Sequence, residues 1–409
     1  MSNHNNSATS RTKLSTFLLV LGIIFVAANL RTAITGVGPL IDVIKEDTGL
    51  SSVLAGMLTT FPLLAFAVFS PLAPGIARKM GIELTLALGL VVITAGILIR
   101  YVDSSITLLI GMLLAGIGIT MGNVLLPSLI KRDFPGNVGL MTGIYSMSMN
   151  ICAAIASGIS VPISHVNGFG WRGSLVSWSI LSIVAFIIWL PQLRNRHVPK
   201  HVASQTKLST SSLAWAVTLF MGLQSLLFYS NVAWLPELLQ SRGLSAGTAG
   251  WMLSLMQFVS LPASFIIPVL AGKFENQRRI IFFTFLLFLI GYIGLLSNGT
   301  TLTWLWVILI GVAGGAAISL ALALFGLRTE NANDAARLSG MAQSVGYLLA
   351  AVGPLLFGLF HDMSHSWTLP LIMLIVATLL LLFLGLKAGN NEVITAPNQK
   401  REQLKVGEE

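Results

Sequence analysis

The sequence predicts an all-α integral membrane protein of twelve transmembrane helices, arranged as two related six-helix bundles. Three observations carry this reading. The chain has too little charge to coat a globule in water. Its apolar residues fall into twelve runs of membrane-spanning length. Prolines and charges recur at a fixed offset between its two halves.

The charge deficit comes first. Of 409 residues, 10% are charged and 55% belong to the hydrophobic set, whereas an ordinary soluble domain is about 25% charged. The mean hydropathy is +0.83. This balance excludes a soluble enzyme, a disordered chain and a secreted disulfide scaffold, and the single Cys152 has no partner for an internal disulfide. The net charge of +9 would suggest nucleic acid if the protein were soluble. Here the basic residues sit between apolar runs, so membrane topology accounts for them and lipid is the expected surrounding, with no nucleic-acid partner.

A helix crossing the hydrocarbon core needs about 20 apolar residues. The runs are 14–41, 51–73, 82–101, 107–130, 139–163 and 174–190, then 214–236, 247–271, 280–297, 302–327, 338–360 and 368–386. Lipid offers no partners to bare backbone groups, so each run must be helical. The interior prolines Pro62, Pro127, Pro262 and Pro354 are commoner in such helices than in soluble ones. The first run is too long for the apolar core of a cleaved leader and is read as a span. The expected organisation is a tail 1–13, a bundle 14–190, a polar linker 191–213, a second bundle 214–386 and a tail 387–409. Nineteen of the 24 Lys and Arg fall on the side of both tails; Lys45, Arg100, Arg172 and Arg242 fall on the other. Both termini are therefore expected in the cytoplasm, with the bundle in a bacterial-type plasma or inner membrane.

The repeat has an offset of 197. Pro39 matches Pro236, Pro71 matches Pro268, Lys131 matches Arg328 and Gly143 matches Gly340. Shared apolar composition alone would not align such residues. Two parallel six-helix halves with termini on one side resemble the major facilitator transporters. That resemblance implies a site near midplane between the halves and alternating access by rocking. It sharpens at Asn29-Leu30-Arg31 with the following TAITGVGPL, at GNVLLPSLIKRDFP (122–135), GFGWRG (168–173) and SGMAQSVGYLLAAVGP (339–354). These stretches resemble the cyanate and 2-nitroimidazole transporter family, over nearly the whole chain. The loop after the second span, PGIARKMGIE, carries Arg78 near the position where the wider superfamily usually has an Asp. Arg78 and Lys79 are the candidate gating loop, with headgroup anchoring as their other reading.

Arg31 is the most informative single residue. It lies 14 residues beyond Phe17, about 21 Å along a helix, too deep to snorkel comfortably. A central Arg costs about 2.5–3.5 kcal/mol even on lenient scales, and such residues face cavities and mark substrate paths. No Asp or Glu lies in the middle of any span. An unpaired guanidinium attracts an anion or a nitro-like acceptor through its planar fork; its other reading is a brace for backbone carbonyls. Asn29, Thr35, Asn123, Asn150, Gln224, Tyr229, Gln257, Gln343 and Tyr347 sit at comparable depth and are candidates to complete a substrate cavity. Gln343 and Tyr347 stack at i and i+4. The glycines crowding the fourth and tenth spans, Gly311, Gly314 and Gly315 among them, are read as close-packing and bending positions.

No phosphate-cradling loop is present, and His361 and His365 read as outer-loop residues, so neither ATP drive nor a metal or other cofactor is expected. No catalytic set is placed within the membrane. Asp42 and Glu237, near the outer ends of the first and seventh spans, are the candidates for ion coupling. The expected function is secondary active transport of a small polar or anionic solute, cyanate- or nitroimidazole-like, by a monomer. A passive facilitator or channel, or a multidrug-type exporter of the same fold, is the alternative.

Overall fold

The computed structural model describes residues 13–394 apart from 51, 167, 196–207 and 298. The first half contains α1 (Lys13–Thr35), α2 (Ile41–Thr48), α3 (Ser52–Phe69), α4 (Ala73–Met80), α5 (Ile82–Ile99), α6 (Ser105–Asp133), α7 (Val138–Ser164), α8 (Gly170–Ser177) and α9 (Ser179–Trp189). The second contains α10 (Ser212–Ser241), α11 (Ala246–Lys273), α12 (Arg278–Leu296), α13 (Thr303–Leu327), α14 (Ala332–Ser364) and α15 (Thr368–Ala388). Among the described residues, eleven segments are long and apolar enough to cross a membrane, twelve when the bent pair α3–α4 is one span.

The boundaries show where local chemistry overrides hydropathy. The run 51–73 does not end as one helix. The chain bends by 58° between α3 and α4, where Pro71 and Pro74 lack backbone donors and disfavour helix at the residue before each. Its repeat mate Pro268 sits inside an unbroken α11; position 271 there is Ala rather than a second proline. The first span stops at Thr35, and the chain turns through Gly36 and a 3-10 turn, Gly38–Leu40, into α2. The sixth span begins earlier than hydropathy places it, as α8, and continues as α9. The eleventh runs to Ser364, so His361 lies in the last turn of α14 rather than in a loop. Helix starts are capped where side chains allow: Ser211, Ser245 and Asn331 accept from the backbone N–H of Ala214, Thr248 and Asp334.

The helix pairings repeat between halves. The pairs α1–α7, α3–α6, α5–α6 and α1–α9 recur as α10–α14, α11–α13, α12–α13 and α10–α15. Small residues permit the close approaches; a Cβ on Gly118 would lie 2.5 Å from the Gly89 carbonyl oxygen. Large apolar side chains such as Phe283, Leu355 and Phe383 point outward and stay exposed, as a chain solvated by lipid requires.

We call the face bearing residues 13 and 394 the terminal face. The halves meet there tightly. A Cβ on Gly139 would lie 2.2 Å from the Pro268 carbonyl oxygen, and one on Gly340 2.7 Å from that of Ser70. Ser128 donates to the Ala332 carbonyl at 2.5 Å and Ser344 to that of Ala67 at 2.6 Å. The far face is tied within the first half. Asp47 of α2 accepts from the Trp171 indole at 3.0 Å and from Arg172 at 2.6 Å, and Arg172 also pairs with Asp103. The Trp171 and Arg172 hydrogen bonds hold the Asp47 carboxyl below the usual carboxylate range.

Candidate functional site: a cavity around Arg31

A cavity of about 40 Å³ opens between the halves, walled by α1, α7, α10, α11, α12, α13 and α14. The two halves contribute unequally. The first supplies only Arg31 and Asn150; the other lining residues belong to the second half. One half brings the charge and the other brings most of the wall.

Arg31 sits one turn before the end of α1. Its Nη1 donates to Asn150 Oδ1 at 3.0 Å, and its guanidinium lies over the Phe228 ring, 5.2 Å from the centroid, a cation–π arrangement. The arginine fixes which end of the Asn150 amide faces it. The other end, Nδ2, donates across the half boundary to Ser264 Oγ at 2.9 Å, and Ser264 donates to the Ser260 carbonyl at 2.9 Å. Among the described residues no carboxylate pairs with Arg31. Four acids of the first half are engaged elsewhere: Glu83 and Asp133 with Arg132 on the terminal face, Asp47 and Asp103 with Arg172 on the far face. A guanidinium has five donors and no acceptor, so one neutral amide leaves most of its hydrogen-bonding capacity to the cavity.

Of the other residues expected at the site, Asn150, Gln224, Tyr229, Gln257 and Tyr347 line this cavity with Arg31. Gln224 is anchored by its Nε2, which donates to Ser225 Oγ at 2.6 Å and the Met221 carbonyl at 3.0 Å. Tyr347 packs on Phe66 with ring centroids 4.8 Å apart. Four candidates lie off the cavity, for local reasons. Asn29 is two residues from Arg31, on another side of α1, and donates to the Phe25 carbonyl at 2.8 Å and that of Leu181 at 3.5 Å. Thr35 spends its hydroxyl on the carbonyls of Arg31 and Ala153, at 3.1 and 3.2 Å. Gln343 is buried and donates to the Asn123 carbonyl at 2.8 Å, so Asn123 and Gln343 join the halves toward the terminal face. Glu237 is exposed on α10, and the side chain of Asp42 lies outside the described residues. Arg78 and Lys79 are exposed on α4, and Arg78 borders a second cavity of about 170 Å³ at the terminal face, beside Ser128, Arg132 and Asn333.

Sequence reasoning missed several participants. Phe228, Met256, Phe288 and Ile318 also line the wall, and as apolar residues they carry no signal in the sequence; Asn231, which shares a face with Gln224 on the seventh span, lines it too. Ser264 is invisible in sequence because its importance lies in facing Asn150. Tyr145 is fully buried within electrostatic reach of Arg31, and its hydroxyl has no hydrogen-bond partner.

Arg100, counted among the far-side basic residues, is fully buried. Its Nη1 donates to the Ala33 carbonyl at 2.8 Å and its Nη2 to that of Gly111 at 3.2 Å. The reason lies in α1. As the helix unwinds past Thr35, Val37 N–H bonds the Ile34 carbonyl, leaving Ala33 without its usual acceptor role, and a guanidinium takes it. Among the described residues no group of three His, Cys, Asp or Glu side chains could hold a metal ion.

The comparisons with known proteins agree with this architecture. The model of the Major Facilitator Superfamily matches residues 19–236 and again 216–406, one match for each half. The chain is 50% identical over 396 residues to a Bacillus subtilis (strain 168) protein named "Uncharacterized transporter YycB", covering 95% of this chain and 98% of that one. It is 42% identical over 393 residues to the 2-nitroimidazole transporter of Escherichia coli (strain K12), covering 95% and 99%. It is 25% identical over 352 residues to the cyanate transport protein CynX of the same organism, covering 85% and 91%. Among solved structures, the proton:xylose symporter XylE superposes with a TM-score of 0.74 at 12% identity, covering 94% of this chain and 98% of that one; this likeness is one of fold alone. A doubled six-helix architecture, matched once per half by one family model and shared over nearly the whole chain with named transporters, makes this multi-pass membrane protein a transporter of the Major Facilitator Superfamily and not an enzyme.

Proposed function

We propose that the protein is a secondary active transporter that binds a small polar or anionic solute at Arg31 and carries it by alternating access. The observation that carries the reading is the Arg31 guanidinium itself: deep in its span, on the cavity between the halves, with an amide and an aromatic ring beside it but no acid. A carboxylate-like or nitro-like group on the solute would engage the remaining donors bidentately. The relatives named for 2-nitroimidazole and cyanate supply the solute class.

The halves are closed at the terminal face, which with both termini in the cytoplasm of a bacterial cell membrane makes this a state loaded from outside. The cavity of about 40 Å³ is smaller than the roughly 150 Å³ void that admits benzene in an engineered core. A ring-sized solute therefore enters only as the far side separates, and this conformation lies toward the occluded end of the cycle. A solute on the remaining donors shares the guanidinium with Asn150 Oδ1. Asn150 also holds Ser264 of the other half, so occupancy of the charge is felt at the boundary that must move. No carboxylate lines the cavity among the described residues. Any coupled proton then rides on a titrating solute or passes through Asp42 or Glu237 at the far mouth.

The test is uptake and counterflow of 2-nitroimidazole and cyanate in proteoliposomes, with and without a pH gradient. Wild-type protein should show saturable counterflow, which a channel lacks. Arg31→Ala and Arg31→Lys should both lose uptake at least 100-fold, because a Lys point charge cannot reproduce the fork. Full transport by the Lys variant would remove the reading.

A further inference from the structure

Three glycines of α13 line the cavity: Gly311, Gly314 and Gly315. Packing explains two of them. A Cβ on Gly311 would lie 2.3 Å from the Met256 carbonyl oxygen, and one on Gly315 2.2 Å from that of Ser260. Any side chain at either position would push α11 and α13 apart.

Gly314 has no such reason. A Cβ built on it meets nothing within 4 Å, and its φ is ordinary helix, so no strained conformation requires glycine either. A glycine inside a helix is about 1 kcal/mol worse than alanine. At the repeat offset of 197, Gly314 stands where the first half has Ile117, a bulky residue on the matching helix. What Gly314 leaves open is part of the cavity. Ile310 and Ile318 flank it one turn away on α13, and Phe288 and Met256 line the same cavity, with the polar Gln257 and Ser260 of α11 beside them and Arg31 as the charged group. An alanine methyl, and still more a valine side chain, would project into that space.

We infer that Gly314 is a specificity-determining residue, whose missing side chain opens a lobe for the flat ring of a solute whose anionic or nitro head lies on Arg31. The inference deepens the transport reading above and rests on it. Cyanate has no body to place in such a lobe; a nitro-heteroaromatic or an aromatic acid does. The lobe therefore sorts ring-bearing solutes from bare small anions, while Arg31 serves both.

The experiment compares wild type, Gly314→Ala and Gly314→Val in proteoliposomes, with 2-nitroimidazole as the ring probe, cyanate as the small probe and melting temperature as the fold control. The ratio of ring to cyanate uptake should fall at least tenfold in Gly314→Val and by an intermediate factor in Gly314→Ala, with the melting temperature held or raised. An unchanged ratio, or both rates falling together, overturns the assignment. If wild type carries cyanate but not the ring, the assignment fails and the transport reading stands. If wild type carries neither, the transport reading fails and takes the assignment with it. If wild type carries only the ring, a stepwise loss from Gly to Ala to Val at constant melting temperature supports the lobe, and flat rates overturn it.

Discussion

Arg31 and Arg100 lie in the same half, and among the described residues neither pairs with a carboxylate, yet their donors go to different places. Arg100 is fully buried, and two of its nitrogens are bonded to backbone carbonyls at the frayed end of α1 and on α6. Arg31 gives one bond to a neutral amide and turns the rest of its fork to a cavity. The lesson is that a guanidinium in a membrane is read by where its donors go. Donors taken by carbonyls brace the backbone; donors left to a cavity are available to a ligand.

The largest effect separates the pair. Arg31→Ala should abolish transport while leaving the melting temperature nearly unchanged, since the half-buried guanidinium has one neutral hydrogen bond and one ring contact to lose and its removal relieves a partly desolvated charge. Arg100→Ala should do the reverse first. It strands the buried Ala33 carbonyl, at about 1–3 kcal/mol, removes a second bond to a Gly111 carbonyl that keeps its place in the α6 ladder, and should lower the melting temperature of the purified protein by several degrees. A stable Arg100→Ala protein with normal uptake would erase the contrast.

A second, smaller effect lies along the bonds leaving Arg31. Ser264→Ala breaks the link across the halves but leaves Arg31 and Asn150 together. It should change turnover by about tenfold with little change in solute affinity measured by ligand-induced thermal shift. Asn150→Ala should change both. Because the three residues act as one network, the double variant should be markedly non-additive; additive effects would mean that Asn150 does not connect the charge to the boundary.

The smallest effect concerns the far rim, where Asp47 holds Trp171 and Arg172. Its carboxyl is held low, so its contribution to stability is present above the ordinary carboxylate range, near pH 4, and is lost as pH falls through the lowered value. Asp47→Asn should lower the melting temperature slightly at neutral pH. The gap to wild type should close as the buffer is taken well below pH 4; a gap that persists in acid would place the stabilisation elsewhere.

How much of this was legible in the sequence varies by level. The twelve runs, the doubled organisation and the depth of Arg31 were legible, because lipid as solvent permits few alternatives for a long apolar segment. The break between α3 and α4 was not, since hydropathy is blind to a second proline one turn after the first. Asn29 and Gln343 looked as good as Gln224 and Tyr347. All four are polar and at similar depth, and only the direction each faces separates cavity lining from the bonds Asn29 makes to backbone and Gln343 makes across the halves. The three glycines of α13 looked alike, although two abut carbonyl oxygens and one abuts open space.

The sequence by itself determined that this chain is a doubled helical bundle with an arginine far along an apolar run, because the transfer of backbone and charge into hydrocarbon is costly wherever the neighbours stand. Only the tertiary structure decided which arginine is architecture and which glycine is cavity. Hydrogen-bond satisfaction and empty volume are properties of groups that meet through space, and residues far apart in the chain, such as Arg31, Asn150 and Ser264, acquire their roles only when packing brings them within reach.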